Sequence, residues 1–263
     1  MNFLVAPVIG RAWIAVLLGA CGRIGFGPLD PIDAPIGDRP SADASACLAT
    51  ACPPFASFCE GFETTAPPTF SPWNDVQVVN YGGGAVDPAS HMAIASTPSC
   101  DGKVLESQIG GATQWGQIFK ALAPRPDPTY ARAMMYVPST NPVFGVDTLG
   151  FGNLTNEYLL VGLRTDNSIA LSTSQAIGGV SAGPVIVRDR WQCVEMSVLF
   201  APAAGHVSVW IDGNLVLDAN GPTENSGSLD HLIMGISTGA TTTGVTTIYF
   251  DDVAFAGQRI GCN

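Results

Sequence analysis

Three groups of residues in this sequence carry side chains that can do chemistry. Thr129 to Val137 places Tyr130, Arg132, Met134 and Tyr136 on one side of an extended chain, and Tyr158 and Arg164 share a side of the next strong run, Glu157 to Arg164. Arginines and tyrosines arranged this way can line a groove for an acidic or neutral glycan through charge-assisted and hydroxyl hydrogen bonds. The same residue types also cover the outside of ordinary sheets with their apolar stems. Trp115, flanked by Gln114 and Gln117 in a Gly-rich stretch, offers a flat apolar ring of the kind on which a pyranose can stack. Asp251-Asp252 puts two acids on neighbouring positions of one run. Adjacent strand residues point to opposite faces, so one of these acids faces a buried side and needs a partner.

Other chemistries lack their residues. His91, His206 and His231 are widely separated, neither H-E-x-x-H nor G-x-S-x-G occurs, and Gly82-Gly83-Gly84 follows no P-loop pattern. A retaining glycosidase needs two carboxylates about 5 Å apart. Glu195 is the lone carboxylate in the middle of a strong strand pattern, and alternation puts it on the exposed face.

The elements that must position these residues are strands. The chain has 263 residues, of which 46% are hydrophobic and 13% charged, with 30 Gly and 20 Pro. Gly and Pro interrupt helices, and Lys103 and Lys120 are its only lysines, so an all-β fold is expected. Cys193 to Ala201 alternates cleanly, with Val194, Met196, Val198 and Phe200 on one side and Glu195 and Ser197 on the other. His206 to Asp212 and Leu215 to Ala219 flank Asp212-Gly213-Asn214, and Asp-Gly between apolar runs signals a hairpin. Further strands are expected at 75–81, 103–109, 114–122, 129–137, 157–164, 168–173, 231–237 and 246–255. Even spacing of short strands, with no amphipathic helix, points to a sandwich or jelly roll in one domain. The excess of 22 Asp and Glu over 11 Lys and Arg excludes a nucleic-acid backbone partner and disfavours anionic polymers unless local arginines or calcium compensate.

Residues 1–20 carry Arg11, the apolar run Ala12 to Leu18 and the small residues Gly19 and Ala20, which read as an export signal too short to span a bilayer. Leu18-Gly19-Ala20-Cys21 resembles the bacterial lipobox. That resemblance implies lipidation at Cys21, a membrane partner and, because Gly22 rather than Asp follows, the outer membrane. Residues 21–56 then form the lipidated cysteine and a tether: Gly22 to Ala46 is rich in Pro and Asp and cannot bury enough apolar surface to order itself. In extended form it reaches roughly 75 Å. Beyond Cys21 there remain Cys47, Cys52, Cys59, Cys100, Cys193 and Cys262, an even set in an oxidising compartment. Three disulfides are the economical expectation, with fifteen connectivities open; the spacings lack the tight pairs of a zinc site.

Phe58-Cys59-Glu60-Gly61-Phe62-Glu63, Trp191-Gln192-Cys193-Val194-Glu195-Met196, Val209-Trp210-Ile211-Asp212-Gly213 and Ile248-Tyr249-Phe250-Asp251-Asp252-Val253 resemble the concanavalin A-like jelly rolls, nearest in character to LamG-like domains of exported bacterial lipoproteins. The resemblance covers residues 57–263 and implies a concanavalin A-like β-sandwich. It also implies adjacent first and last strands, hence Cys59–Cys262, with Cys100–Cys193 and Cys47–Cys52 completing the set. By the same resemblance a structural calcium is expected at Asp251 with Glu60 or the nearby backbone. Neither the E-x-D-x-x-E run of jelly-roll hydrolases nor the R-[ST]-E-L-R and Q-I-H patterns of alginate-lyase-like sandwiches is present. The expectation is therefore a monomeric, lipid-anchored, non-catalytic module for a polysaccharide or surface glycan, in the periplasm or on the cell surface. A divergent polysaccharide lyase or glycoside hydrolase and a purely structural envelope protein are the alternatives. The ligand-binding candidates are Trp115, Tyr130, Arg132, Tyr136, Tyr158 and Arg164.

Overall fold

Alternating apolar side chains make a strand whose one face must find a partner sheet, and here two antiparallel sheets provide it for each other. The structure is a computed structural model that describes residues 52–262 apart from 81–82, 99–101, 143–144, 156, 179, 225–227 and 240–241. The expected export signal, Cys21, the expected tether up to residue 51, Cys47 and Cys100 lie outside the described residues. The strands in chain order are β1 (Phe58–Glu60), β2 (Asp75–Asn80), β3 (Met92–Ala95), β4 (Val104–Gly111), β5 (Thr113–Ala121), β6 (Thr129–Tyr136), β7 (Val146–Gly152) and β8 (Tyr158–Leu163). They continue with β9 (Ser168–Thr173), β10 (Ser181–Pro184), β11 (Trp191–Leu199), β12 (Gly205–Ile211), β13 (Asn214–Gly221), β14 (His231–Ser237) and β15 (Thr242–Ala256). Among the described residues the only helical element is the 3-10 turn Pro88–Ser90, and no helix is long and apolar enough to cross a membrane.

The first sheet has the order β13-β12-β11-β6-β15-β4-β3 with β1 also on β15; the second has the order β10-β9-β8-β7-β14-β5-β2. This is the expected jelly-roll β-sandwich. Val194, Met196 and Val198 of β11, Ala131, Ala133 and Met135 of β6, and Ile248, Phe250, Val253 and Phe255 of β15 face Val161 of β8, Leu149 and Phe151 of β7, and Leu232, Met234 and Ile236 of β14 in one buried core. The expected hairpin is present: Ile211 pairs with Asn214, and Asp212 and Gly213 both take positive φ, 49° and 79°, as a two-residue turn requires. β3, β7 and β10 escaped the sequence reading because they are short or interrupted by glycine.

The first and last strands do pair, Cys59 opposite Ala254, but the disulfide expected from that neighbourhood does not form. Instead Cys262 bonds to Cys193 (S–S 2.10 Å, Cα–Cα 5.7 Å), which overturns both Cys59–Cys262 and Cys100–Cys193. The reason is the path of the chain after β15. Residues 257–262 turn back across the outer face of the first sheet, away from β1 and over β6 and β11. There Glu195, fully buried rather than exposed as alternation suggested, accepts the backbone N–H groups of Ile260 (2.7 Å) and Gly261 (3.1 Å) and the Nε–H of Arg259 (3.3 Å). Arg132 donates from Nη1 to the carbonyl of Gly261 at 3.2 Å. Cys59 is a free thiol next to that of Cys52, which is free as well, so the expected Cys47–Cys52 pair does not form either; burial, followed by its contact with Cys52, pushes the Cys59 thiol up to about 12. Glu195→Ala leaves two buried N–H donors without their carboxylate and should cost about 2–3 kcal/mol, a fall of roughly 4–10 °C in the thermal midpoint of a domain this size. Calorimetry checks this, and a non-reducing peptide map should recover Cys193 joined to Cys262.

Candidate functional site

With one face of the first sheet closed by the C-terminal segment, the open face is the outer side of the second. In β2, β5, β14, β7 and β8 the residues that alternate with the core point there, and they line a groove of about 370 Å³, within the range of sites that hold small organic ligands. Its floor is a small apolar cluster, Phe119, Leu160 and Ile233, with Tyr158 packed against it. Around this floor stand Gln77, Gln114, Trp115, Gln117 and Asn153, with Asp147, Glu157, Ser237 and Thr238. The amide groups are oriented by neighbours: Gln77 Nε2 donates to Asp75 Oδ2 (2.7 Å), and Gln117 Nε2 to Ser237 Oγ (3.3 Å). Asn153 Oδ1 accepts from the N–H groups of Thr155 (2.8 Å) and Glu157 (3.1 Å), which fixes the rim loop ahead of β8.

Gly235 lets β14 run through the middle of this floor. Its φ is +131°, and a Cβ there would come within 2.2 Å of the carbonyl oxygen of Gly116 on β5. No other residue fits that backbone without moving two strands.

Asp147 is the acid that sequence reasoning missed. It sits where β7 bulges against β8, the register slipping between Asp147 and Gly150, so V-D-T-L-G-F-G loses the clean alternation that marks a strand. Burial pushes its carboxyl above the ordinary carboxylate range, while a hydrogen bond from Ser172 and the charge of Arg164 pull it part of the way back.

The sequence candidates divide between two surfaces. Trp115 and Tyr158 line this groove together, and Arg164, exposed at the β8–β9 turn, reaches it only through its field on Asp147. Tyr130, Arg132 and Tyr136 do share one face of β6, as alternation required, but it is the outer face of the first sheet. Arg132 is 2% exposed under the C-terminal segment, Tyr130 stacks on Trp210 (ring centroids 6.5 Å apart), and Tyr136 packs against Trp191 and Tyr249. The structure does not bring these three together with Trp115 and Tyr158.

The Asp251-Asp252 question is resolved by a bulge. β15 slips register against β6 between Asp251 and Ala254, and Asp252 takes a φ of +46°, so both acids fall between the core residues Phe250 and Val253. A Cβ on Gly61 would lie 3.8 Å from Asp252 Oδ1 and 3.9 Å from Asp251 Oδ1, which places the acids beside the end of β1. Glu60 Oε1 is already held by the Phe62 N–H (2.6 Å) and the Thr65 hydroxyl (3.0 Å), and Asp251 Oδ1 by the Asp252 N–H (2.8 Å). Among the described residues no three His, Cys, Asp or Glu side chains gather as a metal-binding group, and calcium prefers six to eight oxygens.

Fold and groove together define a jelly-roll β-sandwich with one open, amide-rich face. Solved structures of the same fold include the cellulose-induced protein Cip1 (14% identity, TM-score 0.54, covering 78% of this chain and 100% of that one) and the alginate lyase vAL-1 from Chlorella virus (11% identity, TM-score 0.56, covering 76% and 99%). No protein-family model and no curated protein sequence matches the chain.

The sign of the Asp147 shift gives a pH dependence. A carboxyl whose folded pKa lies above its unfolded value costs stability when ionised, and that cost fades as pH falls through the folded pKa. Asp147→Asn should therefore raise the thermal midpoint at pH 7 and lose this advantage below about pH 4; paired melts at the two pH values measure it.

Proposed function

We propose that the groove between Trp115 and Tyr158 binds a polysaccharide segment without cleaving it, and that the chain is an exported, lipid-anchored envelope protein which displays this groove. The observation that supports the reading is the composition of the groove: aromatic rings and an apolar floor for sugar faces, ringed by Gln77, Gln114, Gln117 and Asn153 for sugar hydroxyls. The fold neighbours agree with it in kind, since one is named as cellulose-induced and the other as an alginate lyase. Trp115 is half-buried at the rim, so Trp115→Ala should weaken oligosaccharide binding by at least about tenfold, or 1.4 kcal/mol, while the thermal midpoint changes little. Calorimetric titration after a glycan-array screen measures both. A chain that retains full affinity after this change binds elsewhere.

Lipidation at Cys21 and an outer-membrane location are part of the same proposal and rest on the lipobox-like residues alone. Radiolabelled palmitate incorporated into the wild type and absent from Cys21→Ser supports them; equal labelling of both refutes them.

A second reading, a divergent glycoside hydrolase, is favoured by Asp147 and Glu157, two carboxylates in one groove, of which Asp147 is pushed up as a general acid requires. New reducing ends that disappear in Asp147→Asn would support it over plain binding. Calcium held at Glu60 and Asp251 stands as a separate proposal that would draw most of its oxygens from backbone and water. A chelator should then lower the thermal midpoint, and an unchanged midpoint with no calcium by elemental analysis refutes it.

A further inference from the structure

The charged side chains that line the groove are Asp147 and Glu157, and the cations of the domain are committed elsewhere. Lys103 donates to the Glu63 carbonyl at 3.0 Å. Lys120 donates to the Pro72 carbonyl at 2.8 Å and lies over Phe58. Arg125 pairs with Glu224 (2.8 Å), Arg190 with Asp212 (2.7 Å) and Arg259 with Glu195 (3.3 Å). Arg188 is held by Asn167 Oδ1 at 2.9 Å, and Arg132 is buried under the C-terminal segment. His91 is bonded to Thr113, and His206 and His231 to Asp218 and Asp230. Arg164 alone acts on the groove, and its charge is shared between Asp147 and Asp166. These are all the Lys, Arg and His residues of the chain after residue 51.

A polymer with a carboxylate on every residue would bring those charges into a partly desolvated groove whose lining holds two acidic side chains and no Lys, Arg or His. Like charges in such a setting repel far more strongly than in bulk water. Neutral hydroxyls meet the opposite situation: the carboxyl oxygens of Asp147 and Glu157 are strong acceptors for O–H donors, and the glutamine and asparagine amides both donate and accept. We infer that the groove selects uncharged glycans and rejects polyuronates, so that it differs in ligand class from the alginate lyase whose fold it shares. This rests on the groove being a glycan site, as proposed above.

The test is a titration of the purified full chain at 20 mM salt and pH 7 with two sets of hexasaccharides of matched length. One set is neutral (gluco-, manno- and xylo-hexaose) and the other is uronic (mannuronate and galacturonate). At least one neutral hexamer should bind, and every uronate should bind at least about tenfold more weakly than the best of them. Raising the salt to 0.5 M should narrow the gap by strengthening uronate binding, because screening weakens the repulsion. The variant Asp147→Asn/Glu157→Gln should raise uronate affinity relative to neutral affinity at least about fivefold. A uronate that binds as tightly as the best neutral hexamer overturns the inference and leaves the groove as a glycan site. A gap that neither salt nor the double variant moves also overturns it, since selection would not be by charge. Binding of no hexamer at all overturns the groove reading itself, and this inference with it.

Discussion

A carboxylate with no exposed surface has to be paired, and Glu195 is where the first sheet and the C-terminal segment are bound to each other. Two backbone N–H groups and an arginine converge on it, and the Cys193–Cys262 disulfide fastens the same segment at the residue next to the nearest of those contacts. The arrangement decides more than local stability. It covers the outer face of β6 and β11 and hides Arg132, while the groove lies on the outer face of the second sheet. Losing one partner of such a buried cluster is expensive because the other groups are left without hydrogen bonds.

The architecture was legible where each strand obeyed one rule. The alternation in Cys193 to Ala201 fixed which side of β11 enters the core, and Asp212-Gly213 fixed a turn down to its positive φ values. Both depend on local geometry, which neighbours in sequence determine. The site was legible only in part, because a sandwich has two outer faces and a strand pattern says inside or outside without saying which outside. Tyr130, Arg132 and Tyr136 were correctly put together on one face, yet Trp115 and Tyr158 occupy the outer face of the other sheet. Asp147 was missed because a bulge hides its strand; at Asp251-Asp252 one acid, Asp251, is buried and partnered as expected, but a bulge that the alternation did not show shifts the register there. Glu195 misled for a different reason: alternation gives the face correctly but knows nothing of a distant segment folding over it.

Charge shows the same division between what composition tells and what placement tells. The excess of acids in the whole chain says only that the protein repels polyanions on average. Placement says where: apart from Arg164, whose charge reaches the groove only through Asp147, the arginines after residue 51 are each held in an ion pair, a hydrogen bond or a buried position away from the groove. Asp147 and Glu157 then set the character of the site out of proportion to their number, because the apolar floor and the half-buried setting strengthen their influence.

Both ends of the described chain are attached to the same side of the molecule. Cys52 meets Cys59 on β1, at the edge of β15 in the first sheet, and Cys262 is sewn to β11 of that sheet. The groove opens on the opposite surface. Positions 52 and 262 therefore lie behind the sandwich as seen from the groove. A probe or surface-coupling group placed at either position can be loaded, pulled or immobilised without passing in front of the groove.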